Sequence, residues 1–299
     1  MAAQLIDGRA IAEQINQETA AAVAELKAKH GVVPGLAVVL VGDNPASVAY
    51  VGAKDKMCAR LGLHSERLHL PATTSQAELL AVVAQLNQRP DIHGILVQSP
   101  PPPQINEEAV FAAIDDGKDV DGFHPLNVGK LALGDPTGFA PCTPAGVHEL
   151  LIRSGVKIEG AHVVVLGRSR IVGRPVSLIL SQKSKTANAT VTVCHSRSRN
   201  LATICQSADI LVAAIGIPLY VKADMVRAGA VVIDVGINRI DDTGNAKGYR
   251  LVGDVDFDAV KEKASWITPV PGGVGPMTIA MLMHNTVRAA KMRHGIAST

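Results

Sequence analysis

Between Val41 and Gly62 the chain reads VGDNPASVAYVGAKDKMCARLG, and the side chain in it with the most chemical scope is Lys54. Asn44 is a good N-cap, and Pro45 suits the first helical position because its missing N–H would be unpaired there anyway. Gly62 is a natural left-handed stop. The stretch is therefore a helix, and at about 100° per residue it separates into two faces. Asp55, Lys56 and Arg60 share the polar one, while Ser47, Tyr50, Lys54, Met57, Cys58 and Leu61 fall on the other. A lysine in that company has two readings. It is a stem covering apolar surface with its ammonium in water, or a partly desolvated amine. In the second case its pKa falls from roughly 10.4 into the range where it exchanges protons. Tyr50, one turn earlier, is placed to hydrogen-bond whatever Lys54 works on.

Three further stretches carry chemistry. Gln98 ends the apolar run HGILVQ, at the edge where parallel sheets bind ligands. It either orients Lys54 and tunes its protonation, or satisfies loop amides before Pro100–Pro103. Asp121, in KDVDGFHP, is either a ligand-binding carboxylate or an Asx-turn residue. HVVVLGRSRIVGRPVSLIL, residues 162–180, reads as strand, glycine turn and helix. Its glycines are Gly167 and Gly173 rather than G-x-G-x-x-G, so it is either a tight turn or an anion site at a helix start, suited to a dinucleotide pyrophosphate. The following strand ends at His195, about where a Rossmann fold reads the adenosine ribose. An NAD site prefers Asp or Glu there, but this chain has Cys194-His195-Ser196-Arg197-Ser198. With Arg197, Ser196 and Arg168 as donors, a ribose phosphate fits better than a bare hydroxyl pair. The other reading is a solvated basic loop. NADP is favoured.

The elements that position these residues alternate. A helix is expected over 8–29, with Ile11, Ile15 and Val23 inward. GLAVVLVG, SERLHL and HGILVQ read as strands, and residues 75–88 and 106–114 as helices. Residues 115–125 read as a loop, and LNVGKLALGDPTGFAPCTP as a long crossing to a second domain. There Thr143-Pro144 caps a helix, and HVVVLG, TVTVCH, DILVAAIG and AVVIDVG follow as buried strands. A last helix over 277–293 is expected to pack back on the first domain. The fold class is α/β, with open, mainly parallel sheets covered by helices on both faces.

Composition agrees with that class. The 299 residues suit two domains, and with 47% apolar but only 3% aromatic residues the core must be aliphatic, as in covered parallel sheets. A formal net charge of +2 without a basic block gives no case for nucleic acid. The four cysteines form no C-x-x-C pair and read as reduced packing thiols. The ten histidines show no metal-ligand spacing, so no metal is expected. MAAQLIDGRAIAEQI carries charge too early for a secretory segment, and nothing approaches an apolar run of ~18 residues, so a soluble, cytoplasmic protein is expected.

Together GDNPASVAYVGAK, GILVQSPPP, KDVDGFHP, PCTPAGV, GRSRIVGRP, CHSRS, VVIDVGIN, VGDVDF and TPVPGGVGPMT closely resemble the bifunctional methylenetetrahydrofolate dehydrogenase/cyclohydrolase family, across essentially the whole chain. The resemblance implies a parallel-sheet α/β substrate domain at the N-terminal side and a Rossmann-like NADP-binding domain, with a cleft between them. Residues 1–121 would be the folate-binding catalytic domain, joined by the helix over 277–299, and residues 141–276 the NADP domain. Lys54 would be the catalytic lysine, Tyr50 its neighbour over the substrate, and Gln98 the group that tunes it. Asp121 would hold the pterin, with Ser47, Pro271 and Gly272 as further substrate contacts. Residues 271–276 would close the cleft. Gly167, Arg168, Ser169, Ile171, Gly173, His195, Ser196, Arg197 and Ile237 would contact NADP.

The implied reaction oxidises methylene-tetrahydrofolate to methenyl-tetrahydrofolate and hydrolyses it to formyl-tetrahydrofolate, in one-carbon metabolism that serves purine biosynthesis. A homodimer is implied as well. The family carries leucines in VQLPLP where this chain has Ser99 and Pro101. Gln98 is kept, so activity is expected and the departure bears on the shape of the folate pocket. A generic NADP dehydrogenase would need no Lys54, Gln98 and Asp121 together, a dehydrogenase-only relative would lose one of them, and a nucleotide sensor would bind NADP without turnover.

Overall fold

A computed structural model describes residues 2–245 and 248–297. Residues 1, 298 and 299, at the outer ends of the expected first domain and final helix, lie outside the described residues, as do 246 and 247 of the expected second domain. In chain order the first elements are β1 (Gln4–Leu5), α1 (Gly8–His30), β2 (Gly35–Val41), α2 (Pro45–Leu61), β3 (His64–Leu70), α3 (Gln76–Gln88), β4 (Gly94–Val97), α4 (Glu107–Ala113) and α5 (Pro125–Leu133). There follow α6 (Cys142–Arg153), β5 (His162–Leu166), α7 (Gly173–Ser181), β6 (Thr190–Cys194), α8 (Leu201–Gln206) and β7 (Ile210–Ala213). The chain ends with β8 (Val231–Asp234), β9 (Asn238–Asp241), β10 (Tyr249–Val252), α9 (Phe257–Val260), β11 (Trp266–Ile267) and α10 (Val274–Arg293). It divides into two compact units, Glu13–Cys142 with Ile279–Thr299, and Met1–Ala12 with Thr143–Thr278.

The first of these units is built on a parallel sheet in the order β3-β2-β4. Every residue of β2 is buried, which is why the strand is an unbroken aliphatic run rather than an alternating one. Leu79, Val83 and Leu86, spaced along one face of α3, pack on Val39, Ile95 and Val97. Burying each such side chain contributes about 1.5–3 kcal/mol. A capping box between Ser75 and Glu78 starts α3. The far end of α3 is closed by Lys118, only 1% exposed, whose ammonium donates to the carbonyls of Leu86, Asn87 and Arg89 at 3.0, 2.8 and 2.7 Å. A cation there meets the negative end of the helix and its orphan carbonyls together. Lys118→Met leaves those acceptors buried without their donor, at about 1–3 kcal/mol for each one not otherwise bonded. The urea midpoint should drop accordingly; an unchanged midpoint would show that the carbonyls are satisfied from elsewhere.

The expected long crossing after residue 125 is not a plain loop, because α5 lies inside it. The His124 ring accepts from the Leu126 N–H, Pro125 takes the first helical position, and Gly134 ends the helix with φ 72°. These start and stop signals are local and were present in the sequence, obscured by the prolines and glycines around them. The α6 helix begins at Cys142, one residue before the expected cap.

The other unit holds a six-stranded sheet in the order β1-β11-β8-β7-β5-β6, every pair parallel, together with an antiparallel β9–β10 hairpin. The hairpin, β11 and β1 were not expected. β1 is two residues long and both are exposed, so no periodicity announces it. Its pairing of Gln4 with Trp266 places the first twelve residues with this sheet, whereas the sequence reading began the first domain at residue 1. The aliphatic core includes Val164, Leu166, Leu211, Ala213 and Val232. Among the described residues no helix is long and apolar enough to cross a membrane, and no group of three or more His, Cys, Asp or Glu side chains is arranged to hold a metal ion.

Candidate active site

Asn44 caps α2 by accepting from the N–H groups of Ala46 and Ser47. Gly62 closes it in the left-handed conformation, with φ 81°. The helix turns Ser47, Val51, Lys54, Cys58 and Leu61 inward, so Lys54 lies on the buried face and is only 3% exposed. The snorkelling reading fails on that number, since nearly all of the side chain is withdrawn from solvent.

Instead the Lys54 Nζ donates to Gln98 Oε1 at 2.9 Å and stands 5.0 Å from the centre of the Tyr50 ring. The Gln98 orientation is not free: its Nε2 donates to the Ser99 carbonyl at 2.7 Å, so the oxygen must face the lysine. Burial holds the Lys54 pKa below the ordinary lysine value, with the charge of Asp121 pulling the other way. Gln98 contributes an acceptor without a charge. A carboxylate in its place would favour the ammonium.

The KDVDGFHP segment divides its labour. Lys118 closes α3, as described. The Asp119 carboxylate is buried and accepts from the N–H groups of Gly122, Phe123 and His124 and from Asn127 Nδ2, at 2.7 to 3.2 Å. It is the Asx-type turn residue of the pair, and it stitches the loop to the start of α5. A parallel bridge between Asp119 and Ile95 carries Asp121, two residues on, toward the carboxyl end of β4, where Gln98 stands. Burial pushes the Asp121 carboxyl up to about 6, opposed by the Lys54 charge. The Cys142 thiol, itself pushed up by burial, donates to the Val120 carbonyl at 3.3 Å. Asn285 on α10 donates to the carbonyls of Val120 and Ala140, tying the residue before Asp121 to the segment that leads into Cys142. Neither Cys142 nor Asn285 had been singled out from the sequence, for no spacing rule links residues this far apart in the chain. All four cysteines are reduced and buried.

A buried amine of lowered pKa, oriented by a fixed amide and close to a half-buried carboxylate, can move protons on a bound substrate. Ser47, Tyr50, Lys54, Gln98 and Asp121 belong to one unit, whereas Pro271 and Gly272 belong to the other. There Gly272, with φ 112°, lines a cavity of about 160 Å³ with Arg9, Ile237 and residues 271–276.

In the six-stranded sheet Cys194, Leu166, Ala213 and Asp234 are the last residues of β6, β5, β7 and β8, and the register sets them side by side. The chain leaves β5 for β6 on one side and then crosses to β7 on the other. That strand-order reversal, at a level carboxyl edge, is where doubly wound sheets bind ligands. Gly167 has φ 136°, and a Cβ on it would meet the Ala214 carbonyl oxygen at 2.0 Å. A Cβ on Gly173 would meet the Gly167 oxygen at 2.2 Å. Close backbone approach demands both glycines, and it brings the start of α7 to the edge.

Ser169 Oγ accepts from Val172 and Gly173, fixing the loop, while Arg168 and Ile171 stand exposed around it. After β6 a tight turn is tied by His195 N–H to Ser198 Oγ and by Arg197 N–H to His195 Nδ1, leaving Ser196 and Arg197 exposed. Ile237 is 58% exposed beyond β8. A glycine-lined helix start beside a basic, carboxylate-free turn fits a dinucleotide carrying a ribose phosphate. Arg197→Ala is expected to erode a preference for NADP over NAD. The side chain stands in solvent, so the low end of the roughly 1.5–3 kcal/mol for a charge-assisted bond applies, about tenfold in catalytic efficiency. Equal efficiencies with the two cofactors in the parent protein would refute the assignment.

Comparison with known proteins extends over the same ground. Residues 6–121 match the tetrahydrofolate dehydrogenase/cyclohydrolase catalytic domain, and residues 141–294 match the NAD(P)-binding domain of the same family. The bifunctional protein FolD of Dehalococcoides mccartyi strain 195 is 59% identical over 99% of each chain. The crystal structure of the Campylobacter jejuni bifunctional FolD superposes with a TM-score of 0.92 at 47% identity, covering 98% of this chain and all of that one. The Trypanosoma brucei methylenetetrahydrofolate dehydrogenase-cyclohydrolase, solved with NADP and an inhibitor, gives a TM-score of 0.92 at 42% identity over 98% of each chain. With both halves matched and the similarity running from end to end, the chain belongs to the tetrahydrofolate dehydrogenase/cyclohydrolase family.

Proposed function

We infer that the protein oxidises methylene-tetrahydrofolate to methenyl-tetrahydrofolate with NADP and hydrolyses the product to formyl-tetrahydrofolate. The observation that carries the residue assignment is the buried Lys54–Gln98 hydrogen bond, in a chain that matches a bifunctional folate family throughout. The three-stranded unit carries the folate chemistry, and the six-stranded unit holds NADP through Gly167, Arg168, Ser169, Gly173, His195, Ser196, Arg197, Ile171 and Ile237.

NADP supplies the hydride acceptor when bound. The substrate nitrogens already stabilise the resulting cation, so the residues of the first step mainly align reacting carbons. The second step asks more of the protein. Water adds to the methenyl carbon, forming a C–O bond and releasing a proton; a ring C–N bond then breaks, and its nitrogen takes up a proton. Lys54 in its neutral form donates one N–H to Gln98 and keeps its lone pair for the water proton. The same amine, once protonated, returns that proton to the leaving nitrogen, while the second water proton leaves the hydroxyl for solvent as the formyl C=O forms, so that one proton is released overall. Tyr50 lies over the substrate, Asp121 accepts from the pterin, and Ser47, Pro271 and Gly272 complete the substrate contacts.

The test adds methylene-tetrahydrofolate and NADP and follows reduced cofactor and methenyl absorbance together. Reduced cofactor should accumulate without matching methenyl build-up. Equal accumulation of both would mark a dehydrogenase alone, and no reduction at all would sink the reading. We also place the enzyme in the cytoplasm as a homodimer, feeding one-carbon units to purine biosynthesis; sedimentation equilibrium decides the oligomer.

A further inference from the structure

The VVIDVGIN and VGDVDF motifs contain two buried aspartates that the chemistry above leaves unused. Asp234 and Asp254 are 3% and 0% exposed. The Asp234 carboxylate accepts from the N–H groups of Gly236, Asp254 and Val255 at 3.0, 2.9 and 3.0 Å. The Asp254 carboxylate accepts from the Gly216 N–H at 2.8 Å and from Asn238 Nδ2 at 2.9 Å. Their neighbours are shaped to admit them: a Cβ on Gly253 would meet Asp234 Oδ2 at 1.7 Å, and one on Gly236 would meet Asp254 Oδ1 at 2.2 Å. The Thr268 hydroxyl, fully buried, accepts from the Asp234 N–H at 2.7 Å and closes the cluster.

The five donors lie in the turns beyond β7 and β8, at the carboxyl edge of the sheet, on the first residue of β9, and in the segment entered after β10. Gly236 and Asn238 flank Ile237 on either side. One carboxylate holds the first and the other holds the second, so the intervening residue is gripped at both ends while its own side chain stands out into solvent. Plain core filling would not need two acids here, since burying a carboxylate is costly unless its acceptors are used. What these acids do is fix the Gly216 and Gly236 backbone, which lies outside any strand or helix, and anchor the side chain of Asn238 at the start of β9.

We propose that Asp234 and Asp254 are positioning residues for hydride transfer, a buried carboxylate pair that fixes the Gly216 and Gly236–Asn238 turns and thereby sets how Ile237 meets the cofactor. This rests on the NADP reading above. Misplacing a reacting carbon by a fraction of an ångström costs rate before it costs affinity. The phosphate grip of Gly173 and Arg197, on other loops, is untouched.

The experiment compares the parent with Asn238→Ala, Asp254→Ala and Asp254→Asn, measuring NADP reduction and methenyl-tetrahydrofolate hydrolysis on each preparation. Asn238→Ala cuts one arm of the pair at a half-buried position and leaves Asp254 in place. It should lower kcat for NADP reduction about fivefold, with the KM for NADP and the hydrolysis rate within twofold of the parent. Asp254→Ala should lower kcat by tenfold or more. Asp254→Asn should recover most of the loss, because an amide still accepts from Gly216 and can pair with a turned Asn238 amide. An unchanged kcat in Asn238→Ala overturns the proposal, as does a parallel fall of both activities in every variant, which would mark a purely structural cluster. A parent that hydrolyses methenyl-tetrahydrofolate but reduces no NADP would overturn the function reading, and this pair's role with it.

Discussion

Replacing Lys54 with methionine is expected to abolish methenyl-tetrahydrofolate hydrolysis while leaving a folded protein that binds NADP. Methionine fills nearly the same apolar corridor past Tyr50, so packing on the inner face of α2 is largely kept. What disappears is the basic nitrogen of Lys54, together with its bond to Gln98 Oε1. General acid–base catalysis contributes typically a hundred- to ten-thousandfold, so residual hydrolysis should fall to the background of the unaided reaction. Gln98→Glu offers the complementary case. A carboxylate facing the amine favours its charged form, so hydrolysis should move to higher pH rather than vanish. Stopped-flow loss of methenyl absorbance measures both. A Lys54→Met protein that hydrolyses at the parent rate would remove Lys54 from the mechanism.

Asp121→Asn is expected to weaken binding of a folate analogue roughly five- to a hundredfold and to leave NADP binding nearly unchanged. A pterin presents a ring N–H and an exocyclic amino group side by side. A carboxylate accepts both, whereas an amide accepts one and sets a donor against the other, at about 1–3 kcal/mol for the unpaired group. The pH dependence follows from the same geometry. With its carboxyl pushed up to about 6, Asp121 is ionised and competent above that pH, and is progressively protonated below it. Folate affinity should therefore hold near neutrality and fall about tenfold per pH unit below 6. In Asp121→Asn that slope should be gone. Paired titrations of analogue and NADP across pH decide it. Were both affinities to drop together, Asp121 would be a turn residue like Asp119.

The strands and helices that carry the site were legible because they are locally encoded. The unbroken apolar run of β2, the Asn44-Pro45 start and Gly62 stop of α2, and the Ser75 cap of α3 each act within a few residues. The elements that went unseen have weak local signals. β1 and β11 are two residues each and exist because partner strands accept them. In the β9–β10 hairpin, β9 alternates half-buried with exposed positions and β10 buries only Val252, so neither strand presents an apolar run.

The residue types at the site came from the chain alone: a lysine on the apolar face of a helix, a glutamine at a strand end, and a ribose loop without a carboxylate. Tertiary structure decided which reading of each holds. Lys54 is a desolvated amine because β4 ends where Gln98 meets it, 44 residues along the chain. In KDVDGFHP the sequence offers two aspartates of the same chemistry. Burial against the donors of the next turn makes Asp119 structural, while the bridge to β4 leaves Asp121 beside the amine. The carboxylate pair of Asp234 and Asp254 lies 20 residues apart and shows no spacing a local rule would register. Short-range sterics and hydrophobic periodicity write the elements into the chain; desolvation and through-space charge, which set what an acid or amine can do, exist only once the strands have been brought side by side.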